Sequence, residues 1–151
     1  MDVSICIKED GWYLRQDIIW NKPNPMPESV RDRCTKSHEY IFLLSKNQNY
    51  YFDVDAIKEP TRRKRSVWNI NKKAYKDAHF AVYPPDLIEP CILAGSQQND
   101  IILDPFMGSG TTAMVAKSLG RYYIGCELHE DYGNLIKNRI GEVRGTLEKF
   151  L

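Results

Sequence analysis

Apolar residues in this chain fall into short β-branched and aromatic runs that alternate with stretches at helical spacing. Gln16–Trp20, Glu39–Ser45 and Tyr50–Phe52 read as strands, and so do Ile101–Asp104 and a run from Tyr122 that closes on Glu127. Between the first two strands, the loop 21–27 is punctuated by prolines and leads into a short helical turn over 27–36. Pro85 opens a predicted helix toward Ala94, bent at Pro90 and ended by Gly95. A second helix carries Ala113, Met114, Val115, Ala116 and Leu119 and stops at Gly120. From about Glu130, Ile136, Ile140, Val143, Leu147 and Leu151 recur at helical spacing, weakened by Gly141 and Gly145. The alternation predicts an α/β fold.

The segment Ile101-Ile-Leu-Asp-Pro-Phe-Met-Gly-Ser-Gly-Thr-Thr112 carries the most chemistry. An aliphatic run closing on an acid reads as a buried parallel strand whose C-terminal end faces a ligand. Gly108 and Gly110 permit positive φ and close backbone approach, and Thr111 and Thr112 can cap the helix that follows. Glu127, at the end of the next strand, stands where open α/β sheets grip ribose hydroxyls.

Three nucleoside cofactors compete for such a loop. A nucleoside triphosphate wants a lysine directly after the last glycine, and the first one here is Lys117, well inside the helix. A dinucleotide is compatible with Gly108-Ser-Gly-Thr-Thr-Ala113, which satisfies G-x-G-x-x-A, but Asp104 would repel its pyrophosphate. A zwitterionic amino acid carrying a sulfonium suits Asp104, because its ammonium needs a carboxylate partner. S-adenosyl-L-methionine therefore fits better than NAD.

Asp104-Pro-Phe-Met-Gly-Ser-Gly-Thr-Thr112 resembles the cofactor loop of the DNA amino-methyltransferases, which make N6-methyladenine or N4-methylcytosine. The likeness continues in Asp17-Ile-Ile-Trp-Asn-Lys-Pro-Asn-Pro-Met-Pro-Glu-Ser-Val30, in His38–Lys46, in Tyr50–Asp53, in Arg65–Trp68 and in His79–Pro90. With the cofactor loop last, the order is that of the permuted subgroup in which the catalytic half comes first. The resemblance implies a Rossmann-like, S-adenosylmethionine-dependent methyltransferase sheet, permuted and incomplete, belonging to a bacterial or phage restriction-modification system in the cytoplasm. Asp104, Phe106, Gly108, Ser109, Gly110 and Thr111 would hold the methionine side, Glu127 the ribose, and His79, Phe80 and Ala81 would fold over the cofactor.

The family's chemistry rests on Asp, Asn or Ser followed by Pro-Pro and an aromatic residue, which together hold a flipped base. The single Pro-Pro pair here, Pro84-Pro85, lies between Tyr83 and Asp86 and reads as a rigid helix start. No catalytic residue is assigned. The resemblance implies a chain that starts midway through the family pattern, with residues 1–16 as the tail of a helix bearing Ile5, Ile7, Trp12 and Leu14 on its apolar face and Gly11 near its end. It also places the missing strand between the counterparts of the Ile101 and Gln16 strands. Residues 1–53 would be the remainder of the catalytic half, 54–78 a basic connector replacing the target-recognition region, and 79–151 the cofactor half. A complementary N-terminal polypeptide is the expected partner; a non-catalytic remnant binding DNA or cofactor is the alternative.

Composition adds limits. At 151 residues, 42% apolar and 27% charged, the chain suits one ordinary globular domain, and no apolar run reaches membrane-spanning length. Cys6, Cys34, Cys91 and Cys126 are too scattered for a zinc site and read as free thiols. Net charge is only +1, but from Lys58 to Lys76 eight cations face the single acid Glu59, which makes that segment +7 and leaves −6 elsewhere. Arg62, Arg63, Lys64 and Arg65, together with Lys22, are the expected contacts to double-stranded DNA, where they would neutralise phosphates without reading sequence. Trp68 is read as a core anchor.

Overall fold

The computed structural model describes residues 10–72 and 82–141. In chain order it contains β1 (Tyr13–Asn21), β2 (His38–Ser45), β3 (Val67–Asn69), α1 (Pro85–Gly95), β4 (Ile101–Asp104), α2 (Thr111–Ser118), β5 (Tyr122–Gly125) and α3 (Asp131–Gly141). These strands form two sheets, one ordered β2-β1-β3 and one pairing β4 with β5. The α/β class predicted from the pattern is the observed one.

β1 and β2 run antiparallel, with Ile18 opposite Ile41 and Trp20 opposite Glu39. A register shift between Leu14 and Gln16 leaves Arg15 as the extra residue of a bulge. Its guanidinium donates to Ser45 Oγ at 2.8 Å and to the carbonyls of Asn47 and Gln48 at 2.8 and 2.7 Å, closing the turn after β2. β3 lies parallel to the last residues of β1, pairing Ile19 with Val67 and Asn21 with Asn69.

α1 joins the two sheets. Pro84 precedes it in extended conformation and Pro85 occupies its first turn, so the Pro-Pro pair is the helix start expected from the sequence. Leu87 packs with Ile18, Trp20 and Trp68, and Cys91 lies against the same cluster. Ile88 and Ile92, on the adjoining face, meet Val115 and Ala116 of α2, together with Ile102 and Tyr123 of the second sheet. Burial pushes the Cys91 thiol up to about 11. Trp68 is only 6% exposed and donates its indole N–H to the Arg65 carbonyl at 2.7 Å, as befits the anchor predicted.

Several sequence expectations need correction. Tyr50–Phe52 is not a strand: it finds no ladder, and the next residue, Asp53, donates its N–H to the Ala94 carbonyl at the end of α1. Residues 27–36 form no helical turn, since a short charged and proline-bearing stretch has no apolar face to bury and one turn alone is unfavourable. Leu14 belongs to β1, not to a helix, and Trp12 sits just before that strand; the rest of the predicted helix, residues 1–9, lies outside the described residues. β5 ends at Gly125, short of Glu127, because β4 has already turned away at Pro105. β3 was not predicted, being three residues held by tertiary pairing alone. Its place beside β1 also means that Ile19–Asn21 are partnered on the side expected to be unpaired.

The β4–β5 pair has two unlike faces. Ile102 and Tyr123 look toward the helices, whereas Ile101, Leu103 and Ile124 are 61%, 63% and 54% exposed on the other side. Among the described residues β4 pairs only with β5, so its second edge carries no strand.

Candidate functional site

The site is built on the end of β4. Asp104 closes that strand, and its carboxylate is held from two directions. Oδ1 accepts the Phe106 N–H at 3.1 Å and Oδ2 accepts the Tyr83 hydroxyl at 3.3 Å. The loop that follows is stitched to the end of β5: Cys126 donates its N–H to the Asp104 carbonyl at 3.0 Å and accepts that of Met107 at 2.9 Å. Gly108 and Gly110 take φ of +52° and +79°, a region that a side chain would strain. Close packing makes its own demand at Gly125, where a Cβ would fall 1.7 Å from Met107 Cε.

Glu127 answers from the loop just past β5. Its carboxylate accepts the N–H of His129 at 2.8 Å and of Gly108 at 2.7 Å, and these amides, the His129 bond foremost, hold its pKa below the usual carboxylate range. Hydrogen bonds thus gather Asp104, Phe106, Gly108 and Glu127 around one loop. Phe106 is 86% exposed, which excludes a core role and leaves its ring available to a ligand. Thr111 is fully buried, and its hydroxyl has no hydrogen-bond partner among the described residues, a costly arrangement that a polar ligand group would relieve. An acid closing β4, a second acid just past β5, two positive-φ glycines and an orphaned hydroxyl together fit a zwitterionic nucleoside ligand.

The remaining predicted site residues are placed differently. Ser109 turns inward, is buried, and accepts a hydrogen bond from Arg139 of α3 at 2.7 Å, so its hydroxyl braces the loop and keeps its own proton for another partner. His79, Phe80 and Ala81 lie outside the described residues. Lys22 is buried at the end of β1, ion-paired with Glu39 and 4.5 Å from the Trp20 ring centroid, which withdraws it from the surface cations expected to meet DNA. Arg62 is tied to Glu59 at 2.5 Å across a tight turn, and that bond draws the Glu59 carboxyl down. Arg63 and Arg65 are exposed, and Lys64 lies 4.9 Å from the Trp68 ring centroid. Arg62, Lys64 and Arg65 line a surface cavity of about 520 Å³ with Trp68 and Asn69. Among the described residues no cluster of His, Cys, Asp and Glu could hold a metal, and no helix is long and apolar enough to cross a membrane.

Tyr83 and Arg139 are the site residues that sequence reasoning missed. The one faint signal for Tyr83 was its position directly before a rigid proline pair; Arg139 had none.

A parallel β-α-β unit with an acid closing its first strand, a second acid two residues past the other and a glycine loop between them has the layout of nucleoside-cofactor folds of the Rossmann kind. A model of the DNA methylase family matches residues 2–138, and the chain belongs to that family. Type II methyltransferase M.SmaI of Serratia marcescens is 53% identical over 145 residues, covering 91% of this chain and 50% of that protein. Type II methyltransferase M.Cfr9I of Citrobacter freundii is 49% identical over 143 residues, 91% of this chain and 48% of the relative. The chain therefore spans about half the length of these curated relatives. Among solved structures, the M1.HpyAVI–SAM complex matches with a TM-score of 0.73 and 31% identity, over 91% of this chain and 67% of that one. PvuII DNA methyltransferase, cytosine-N4-specific, aligns with a TM-score of 0.82 over 99% of this chain and 56% of its own; at 21% identity this likeness speaks for the fold.

Proposed function

We propose that this chain is the cofactor-binding half and part of the catalytic half of a methyltransferase that acts on an exocyclic amine of DNA, adenine N6 or cytosine N4. S-adenosyl-L-methionine is its cofactor and supplies an electrophilic methyl group when bound. Asp104 meets the ammonium of the methionine moiety, Gly108 and Gly110 let the backbone approach it, Thr111 satisfies its hydroxyl on the ligand, and Glu127 takes the ribose hydroxyls in exchange for its bonds to the loop amides. Phe106, exposed beside Asp104, would lie against the bound cofactor. Arg63, Lys64 and Arg65 receive DNA phosphates on the same domain.

The polar-Pro-Pro-aromatic element that would grip the target amine comes, on this reading, from a complementary polypeptide segment corresponding to the unmatched half of the relatives. The single observation that carries this is the β4–β5 pair, whose second edge has no strand among the described residues and whose exposed apolar face lies next to the glycine loop. A non-catalytic DNA- or cofactor-binding remnant is the second reading. A bacterial cytoplasmic setting is part of this reading, supported by the bacterial origin of the relatives.

The test is calorimetric titration of S-adenosylmethionine into the chain alone and co-produced with such a segment, followed by transfer of labelled methyl to duplex DNA. Uptake by either preparation, lost in Asp104→Ala, is the expected result, with transfer only in the reconstituted form. No uptake by either, or uptake indifferent to Asp104→Ala, overturns the proposal; uptake without transfer after reconstitution establishes the remnant.

A further inference from the structure

Tyr83 is anchored in one sheet and acts on the other. Its ring packs against the cluster of Ile18, Trp20, Trp68 and Leu87, while its hydroxyl reaches across to the cofactor loop. There it lies 2.5 Å from Thr112 Oγ1 and 3.3 Å from Asp104 Oδ2. A carboxylate can only accept, so the Tyr83 proton points to Asp104 and the Thr112 hydroxyl donates to Tyr83. With the Phe106 N–H on Oδ1, the two oxygens of Asp104 each have one donor and keep acceptor capacity for a cation. Thr112 is 5% exposed, so little water competes for this chain of hydrogen bonds. Burial raises the Tyr83 pKa, so the phenol keeps its proton at neutral pH.

We propose that Tyr83 is a positioning residue for the amino-acid end of the cofactor, orienting the Asp104 carboxylate through a Thr112–Tyr83–Asp104 hydrogen-bond chain fixed in the β1–β3 core. This rests on the reading that Asp104 receives the ligand's ammonium. It ties ammonium recognition to packing in a sheet that holds none of the assigned cofactor residues. α1, entered directly after Tyr83, is the rigid link between the two.

The experiment compares S-adenosylmethionine with 5′-methylthioadenosine, which keeps the adenosine and sulfur but has no amino acid. Both are titrated by calorimetry into the full chain, alone and with the complementary segment. Tyr83→Phe and Thr112→Val, each close to isosteric, are expected to weaken S-adenosylmethionine on the order of tenfold, the scale of one hydrogen bond to a charged group. Methylthioadenosine affinity should stay unchanged, and Thr112→Ser should retain the original values. Equal weakening of both ligands by the two variants reduces Tyr83 to a packing residue and overturns the inference, as does no weakening at all. Should Tyr83→Phe fail to fold, Thr112→Val carries the test on the same terms. Asp104→Ala separates the two levels. If it abolishes the discrimination between ligands while Tyr83→Phe and Thr112→Val do not touch it, only the inference falls; if it leaves the discrimination intact, the reading of the site falls with it.

Discussion

The two sheets of this molecule are finished to different degrees. In β2-β1-β3 the inner face is closed: Ile18, Trp20 and Trp68 are buried against Leu87 of α1, and both indole N–H groups find backbone carbonyls, Trp20 on Ile70 at 2.8 Å and Trp68 on Arg65 at 2.7 Å. In β4–β5 one face is packed as tightly, with Ala113 and Ala116 of α2 wholly buried. Both sheets show apolar side chains on the other face, Tyr40, Phe42 and Val67 in the first and Ile101, Leu103 and Ile124 in the second. But β1 has a strand on each side, whereas among the described residues β4 and β5 have only each other. Apolar side chains at alternate positions of parallel strands belong to a surface made to be covered on both sides. The lesson is that a formed ligand loop does not require a finished sheet. The loop needs only the strand ends, the helix behind them and the hydrogen bonds that sew β4 to β5.

Substitutions test this contrast most severely in the closed sheet. Trp68→Ala removes one of the two tryptophans of the shared cluster and should cost about 3–5 kcal/mol in urea unfolding, with β3 and the basic segment released together. A much smaller loss would mean that the three-stranded sheet is less complete than its burial indicates. In the two-stranded unit, Gly125→Ala forces Met107 out of its place and should cost about 1–3 kcal/mol. Combining it with Met107→Ala should then cost less than the sum of the two single changes, since the second removes the atoms that clash. Simple additivity would assign the effect to the backbone instead. The smallest change is expected on the bare face. Leu103→Ser should shift the stability of this chain by less than about 0.5 kcal/mol, as for an ordinary surface site. A loss well above that, measured on the chain alone, would show that the face is already covered in solution.

Much of the site could be read directly along the chain. Asp104, Gly108, Gly110 and Thr111 are consecutive in a strand-loop-helix whose chemistry is local, and the proline pair before α1 and the core role of Trp68 were legible for the same reason. Legibility failed where the deciding partner was distant in sequence. Lys22 looks like a cation in an exposed loop until Glu39 and Trp20 close around it. Ser109 looks like a ligand residue until Arg139, thirty positions on, takes its hydroxyl. Tyr50–Phe52 has strand-forming residues but leads into Asp53, whose N–H goes to the Ala94 carbonyl at the end of α1, whereas Val67–Asn69 is short and unremarkable in pattern but lies beside the open edge of β1.

From the order of residues alone came the α/β class, the glycine loop with its flanking acids, and the family likeness, because periodicity, turn chemistry and a contiguous motif are properties of neighbours. Tertiary structure decided which cations face water, which hydroxyls are spent inside, and that a tyrosine rooted in one sheet steadies an acid in the other. Those outcomes depend on burial and on hydrogen-bond partners from separate elements, and such partners meet only when the chain has folded.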